Sequence, residues 1–183
     1  MQSFGALRQI HDDELELMLK WRNSPSVREN MYTRHEILLD EHMAWWEKTK
    51  NRDDQQYFMY ETMGKPLGIV GFNSIDKVNQ HAFWAFYASP EAPHGTGTFM
   101  EYTALEHAFF ELRLHKLSCE VLEFNSSVIK LHQKFGFAVE GVFRLHHKID
   151  DIFANIYRLA ILNTEWHAHR DLMRNRLEKL IRK

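Results

Sequence analysis

Gly95 and Gly97 lie one residue apart in SPEAPHGTGTF (Ser89 to Phe99), between a strand-like run, HAFWAFYA at 81–88, and a helix-like run at 98–114. A loop of this kind at a helix start leaves backbone N–H groups unpaired at the positive end of the helix dipole, and such a place binds phosphate. Glycine lets a ligand approach the backbone and permits positive φ. The same two glycines also fit an ordinary turn before a helix. A second strand-to-helix junction follows at Phe124-Asn125-Ser126-Ser127, with Ile129, Leu131, His132 and the run Lys134-Phe135-Gly136-Phe137 behind it. Asn125 fits a helix N-cap and Gly136 a C-cap. Histidine changes charge near neutrality, so His132 suits a proton donor; it also fits a histidine that only packs or hydrogen-bonds in a cleft.

The elements that must position these groups are readable from periodicity. A short strand at 6–10 is followed by a helix at 11–23, a turn at 25–31 opened by Pro25, and a helix at 40–50. Strands are expected at 56–61 and 67–75 around Met63-Gly64-Lys65-Pro66, and at 81–88. Beyond the glycine loop the pattern predicts a helix at 98–114, a strand at 116–123, a helix at 126–135, strands at 138–148 and 153–162, and a last helix at 163–182 with Trp166, Met173, Leu177 and Leu180 on one stripe. Strands and helices mix without a βαβ rhythm, which indicates an α+β fold. No repeat or linker interrupts the chain, so 1–183 reads as one domain with the last helix appended.

Composition narrows the function. A chain of 183 residues can bury a proper core, and a net charge of −2 supplies no basic field for nucleic acid. The single cysteine, Cys119, excludes an internal disulfide, and its strand-like setting suggests a buried thiol. Twelve histidines show neither His-Glu-x-x-His spacing nor a cysteine partner, so no metal is expected. No apolar run is long enough to span a membrane, and the first residues carry no secretory pattern, so a cytoplasmic location is expected.

The two junctions together resemble the GNAT superfamily, the Gcn5-related N-acetyltransferases. Its pyrophosphate loop, Gln/Arg-x-x-Gly-x-Gly/Ala, corresponds to Ala92-Pro93-His94-Gly95-Thr96-Gly97, with Ala92 departing from the pattern; its second signature corresponds to Asn125-Ser126-Ser127-Val128 and Lys134-Phe135-Gly136-Phe137. The resemblance runs from about Leu7 to Trp166. It implies a mixed, mostly antiparallel sheet flanked by helices, with a V-shaped cleft for acetyl-coenzyme A. By the same resemblance His94, Gly95, Thr96, Gly97 and Thr98 would hold the pyrophosphate, the backbone at Phe86, Tyr87 and Ala88 would pair with the pantetheine, and Asn125 and Ser127 would contact the cofactor arm. Many relatives place a tyrosine acid after the leucine where this chain has Leu131-His132, which makes His132 the candidate acid for the departing thiolate. Family members are often dimers, so a homodimer is an expectation.

Between Lys20 and His35 the chain carries Lys20, Arg22, Arg28 and Arg34 against Glu29, which suits an anionic acceptor or a solvated helical face. Trp21-Arg22-Asn23-x-Pro25-x-Val27-Arg28-x-x-Met31 and Glu41-His42-x-x-Trp45 resemble the pseudaminic-acid pathway N-acetyltransferases. These act on the 4-amino group of a UDP-linked dideoxy amino sugar used in flagellin glycosylation. That likeness implies Arg22, His42 and Tyr87 as substrate contacts, with Trp45 and Trp84 as an apolar wall. One of Trp45 and Trp46 is expected in the core. Glu101 and Glu106, on the helix after the glycine loop, are expected to be solvated. Val139-Glu140-Gly141-Val142, Arg144, Asp151, Tyr157 and Glu165-Trp166 also resemble the ribosomal-protein alanine N-acetyltransferases, which would take a peptide N-terminus. A cationic polyamine suits a basic stretch less well. A non-catalytic module that senses acetyl-coenzyme A would keep the loop and Asn125 without needing a proton donor.

Overall fold

The computed structural model describes residues 4–181. Seven strands form one sheet in the order β1-β2-β3-β4-β5-β7-β6. They are β1 (Ala6–Gln9), β2 (Gln55–Thr62), β3 (Lys65–Asp76), β4 (His81–Ala88), β5 (Lys116–Leu122), β6 (Ala138–Ile149) and β7 (Ile152–Leu162). Every pairing is antiparallel except β4 with β5. The helices are α1 (Leu15–Asn23), α2 (Pro25–Arg28), α3 (Leu39–Thr49), α4 (Thr96–Glu106), α5 (Ser126–Lys134) and α6 (Asn163–Ile181). Among the described residues no helix is long and apolar enough to cross a membrane.

Two apolar layers follow from the period-2 alternation of the strands. On one face Leu15, Met18 and Trp21 of α1 and Trp46 of α3 pack on Met59 and Ile69. On the other, α4, α5 and α6 cover Phe72, Trp84, Leu117 and Leu159. α6 belongs to this core: Trp166, Met173 and Leu177 are buried in it, whereas Leu180 at the far end of the expected stripe is exposed. Arg182, expected as the helix's last residue, lies outside the described residues.

Two boundaries differ from the periodicity in ways that matter. The helix expected at 98–114 starts at Thr96, and its end widens into a single π turn, His107–Glu111, where the Leu112 N–H donates to the His107 carbonyl. The helix expected at 11–23 opens as a 3₁₀ turn, Asp12–Glu14, in which the Glu14 carboxylate accepts from the His11 N–H and from Arg8. Short i→i+3 bonds at a helix start satisfy donors that an α-helix leaves free.

Candidate active site

The sheet opens at one place. β4 and β5 are paired only where His81, Ala82 and Phe83 face Lys116, Leu117 and Ser118. Past Phe83, β4 stays with β3 through Ala88, and β5 stays with β7 through Leu122. The gap is a cleft of about 440 Å³ whose walls include Phe86 to Ala88 of β4, Cys119 of β5, and Asn125, Ser127 and His132 of α5 and its start. Asn125 occupies the N-cap position, yet its side chain caps no helix N–H. It accepts a hydrogen bond from the Ser127 hydroxyl at 3.3 Å. The expected capping role therefore falls to the backbone carbonyl, which takes the Val128 and Ile129 amides.

The glycine loop meets the start of α4. Gly95 has φ +91°, a left-handed conformation that glycine adopts without strain. Gly97 lies against Phe86: a Cβ added there would sit 3.3 Å from Phe86 Cε2. Thr96 and Thr98 donate their N–H groups to the carbonyls of Pro93 and Gly95. Those two amides are used inside the turn, whereas the N–H groups of Gly95 and Gly97 donate to no backbone carbonyl of the turn among the described residues. Thr96 is buried, with its hydroxyl donating to Pro93, so it shapes the loop. His94 borders a separate groove with Phe4 and Tyr60. The loop and cleft suit a diphosphate-bearing thioester: bare amides stand at a helix start, beside a strand edge left unpaired.

His132 is buried at the floor of the cleft, with 3% of its side chain exposed. Its ring is edge-on to Trp84 and Phe86 and 5.1 Å from Phe137. Nδ1 lies 2.8 Å from Oε1 of Glu101, which is 0% exposed. Glu101 was expected in solvent; α4 instead turns it onto α5, and the histidine partner makes its burial tolerable. Burial alone would lower the His132 pKa, but Glu101 and the Cys119 thiol outweigh it and raise it above the ordinary histidine value. Burial raises the Glu101 carboxyl, against the pull of His132. The pair thus holds on to a proton. Glu106, also expected in solvent, accepts hydrogen bonds from Trp166 and Arg170 and ties α4 to α6.

A second cavity, of about 330 Å³, adjoins the cleft along β4, between the sheet and the N-terminal helices. Arg22, His42, Trp45 and Tyr87 line it. Three buried polar atoms in it have no hydrogen-bond partner among the described residues: Nη1 of Arg22, Nε2 of His42 and the Tyr87 hydroxyl. The other Arg22 nitrogen, Nη2, donates to the Thr33 carbonyl at 2.9 Å. Next to it, the Asn23 amide clamps Ile37 by donating to its carbonyl and accepting from its N–H. Burial lowers the His42 pKa, with a hydrogen bond to the Leu15 backbone as the main opposing influence. His42 is therefore neutral near pH 7, with Nδ1 as donor and Nε2 carrying a free lone pair. Burial also pushes the Tyr87 hydroxyl up, so it stays protonated.

The two tryptophans expected to form one wall are separated by the sheet. Trp45 is half-buried, stacks on His42 and meets Tyr57 edge-on. Trp84 points to the other face of β4, beside His132, because side chains two apart share a face and neighbours do not. Trp46 is the core residue of the pair at 45 and 46, its indole N–H donating to Asp12. The basic excess at 20–35 narrows to one cavity-facing cation, Arg22; Lys20 is exposed near Glu91.

The family profile described as "Acetyltransferase (GNAT) domain" matches residues 6–138. The acetyltransferase PseH of Campylobacter jejuni is 26% identical over 72% of this chain and 81% of its own length. The spermidine N(1)-acetyltransferase of Escherichia coli is 25% identical over 88% of both chains. Among solved structures, spermidine N-acetyltransferase from Vibrio cholerae in complex with CoA and spermine has a similar fold, with a TM-score of 0.83 at 21% identity over 90% of this chain and 99% of that one.

Proposed function

The chain belongs to the GNAT acetyltransferase family, an N-acetyltransferase with acetyl-coenzyme A as donor, and from that premise we propose that it acetylates the 4-amino group of a UDP-linked dideoxy amino sugar, in the cytoplasm, as in pseudaminic acid biosynthesis for flagellin glycosylation. The likeness to PseH supports this reading, and one observation carries it: the three unpartnered polar atoms that face a single cavity. Each such atom costs about 1–3 kcal/mol while unpaired, so a ligand that pairs all three gains by doing so. Arg22 and the Tyr87 hydroxyl offer donors, and Nε2 of His42 offers an acceptor. A phosphorylated, hydroxyl-bearing sugar matches that set, and Trp45 gives it a flat apolar wall.

Spermidine acetyltransferases are equally similar in sequence, and a polyamine is the competing acceptor. The cavity argues against it. A polycation brings donors and positive charge to a wall that already holds Arg22, and the carboxylate there, Glu41, is engaged by His35.

In the proposed reaction the thioester lies in the β4–β5 cleft, with its diphosphate on the glycine loop and its arm against Phe86–Ala88 and Asn125. The amine nitrogen forms a bond to the acetyl carbon, the carbon–sulfur bond breaks, and His132 gives a proton to the departing sulfur; the amine's proton passes to solvent, and solvent returns one to His132. β6 is the outer strand of the sheet and exposes Val139, Val142, Phe143 and Leu145, which supports a second copy of the chain pairing there. Sedimentation would then give twice the chain mass, and a monomer rejects that assembly.

Thiol release from acetyl-coenzyme A, measured with the UDP-4-amino sugar, spermidine and an alanine-initiated peptide, tests the acceptor. Release with the nucleotide sugar alone, with mass spectrometry showing a monoacetylated product, supports the proposal. Release with spermidine or peptide alone overturns it, and tight cofactor binding without release under any acceptor points to a sensor.

A further inference from the structure

We propose that Glu101 is a positioning residue for His132: it holds the imidazole by Nδ1 and leaves Nε2–H as the proton the ring can present to the cleft. This rests on the reading of His132 as the acid. The geometry is specific. Glu101 comes from α4 and His132 from α5, 31 positions apart, and their side chains meet at 2.8 Å with almost no access to water. A carboxylate so buried is costly unless a cation or donor faces it. Oε2 of Glu101 has no partner among the described residues, so the histidine is the one group engaging this carboxyl.

One further titratable group acts on the ring. From β5 the Cys119 thiol reaches His132. From β4 come the rings of Trp84 and Phe86, and past the end of α5 that of Phe137, none of them titratable. Without the negative partner, burial among aromatic rings would strip the proton from the imidazole. With it, the ring stays protonated through neutral pH, ready to protonate the thiolate as the carbon–sulfur bond breaks. Neutral imidazole, still donating Nδ1–H to Glu101, remains until the proton is restored.

The direct test is a ¹⁵N NMR titration of the His132 ring in the intact protein, assigned by loss of its signals in His132→Gln. In wild type the ring is expected to keep both protons well above the ordinary histidine value of about 6.5. In Glu101→Gln, which keeps the side-chain shape and removes the charge, the titration is expected to move down by at least about one pH unit. The kinetic counterpart is kcat that declines from a lower pH in Glu101→Gln, with KM for acetyl-coenzyme A little changed; Glu101→Asp, which keeps the charge, should recover part of the loss. A wild-type ring that titrates at the ordinary value overturns the proposal without any variant, and so does the same curve in wild type and Glu101→Gln. Unchanged turnover in His132→Gln instead rejects the acid role itself, whatever the titration gives, so the two failures are distinguishable.

Discussion

His132 sits among Trp84, Phe86 and Phe137, with a carboxyl as its polar neighbour on α4. A general acid works only while protonated, and this ring's pKa is raised. Activity should therefore hold through neutral pH and fall as pH climbs past that raised value, rather than halving near about 6.5 as an ordinary histidine would dictate. His132→Ala should lower kcat by about 10²-fold or more while leaving the KM for acetyl-coenzyme A nearly unchanged. Steady-state kinetics across pH read both. At the second cavity, Arg22→Ala removes the buried cation and should raise the KM for the nucleotide sugar by about tenfold to a hundredfold. The same change should leave the cofactor KM alone, because Arg22 lines the cavity proposed for the acceptor; a rise in the cofactor KM alone would remove Arg22 from that proposed site.

At the scale of elements, the turn into α4 and the parting of β4 from β5 create the cleft proposed for the cofactor. Gly95 carries the positive φ with which the loop enters the helix. An added methyl would touch nothing, so Gly95→Ala isolates backbone strain from crowding. It should cost about 1–2 kcal/mol, visible as a Tm lower by about 2–8 °C, and should weaken coenzyme A binding by calorimetry. An unchanged Tm with normal binding would show that the loop does not need the left-handed residue. α4 also carries Glu101 at its middle and Glu106 at its end, one facing α5 and the other tied to α6. The π turn that follows Glu106 widens the helix before the chain enters β5.

Across the whole molecule, two chambers adjoin along β4 and share Met31, Ala85, Phe86 and Tyr87 in their linings. Along β4, the Tyr87 hydroxyl is left unpartnered and Trp84 meets His132 edge-on. α6 packs into the core beside α4 and α5. Trp166 is fully buried, stacks near Phe135, and donates its indole N–H to Glu106. Trp166→Ala should cost about 3–5 kcal/mol, read from chemical denaturation. A loss under about 1 kcal/mol would mean that α6 is dispensable packing rather than part of the core.

The amino-acid sequence by itself determined what depends on neighbours along the chain. Apolar periodicity gave the order of strands and helices to within a few residues. The glycines and Asn125 marked the two junctions, because turn and cap chemistry is local, and together they carried the family. Tertiary structure decided the rest. The exposure of a carboxylate depends on what packs over it, so no local pattern distinguished Glu101 from a surface residue of an ordinary helix; an acidic residue one turn into the helix, 31 positions before a histidine, became informative only when α4 and α5 touched. Trp45 and Trp84 look alike in composition, yet the strand's alternation and the helix's position put them on opposite faces of one sheet. Arg22, His42 and Tyr87 come from three elements far apart in sequence, and the packing of α1 and α3 onto Met59 and Ile69 of the sheet left their polar atoms facing one space.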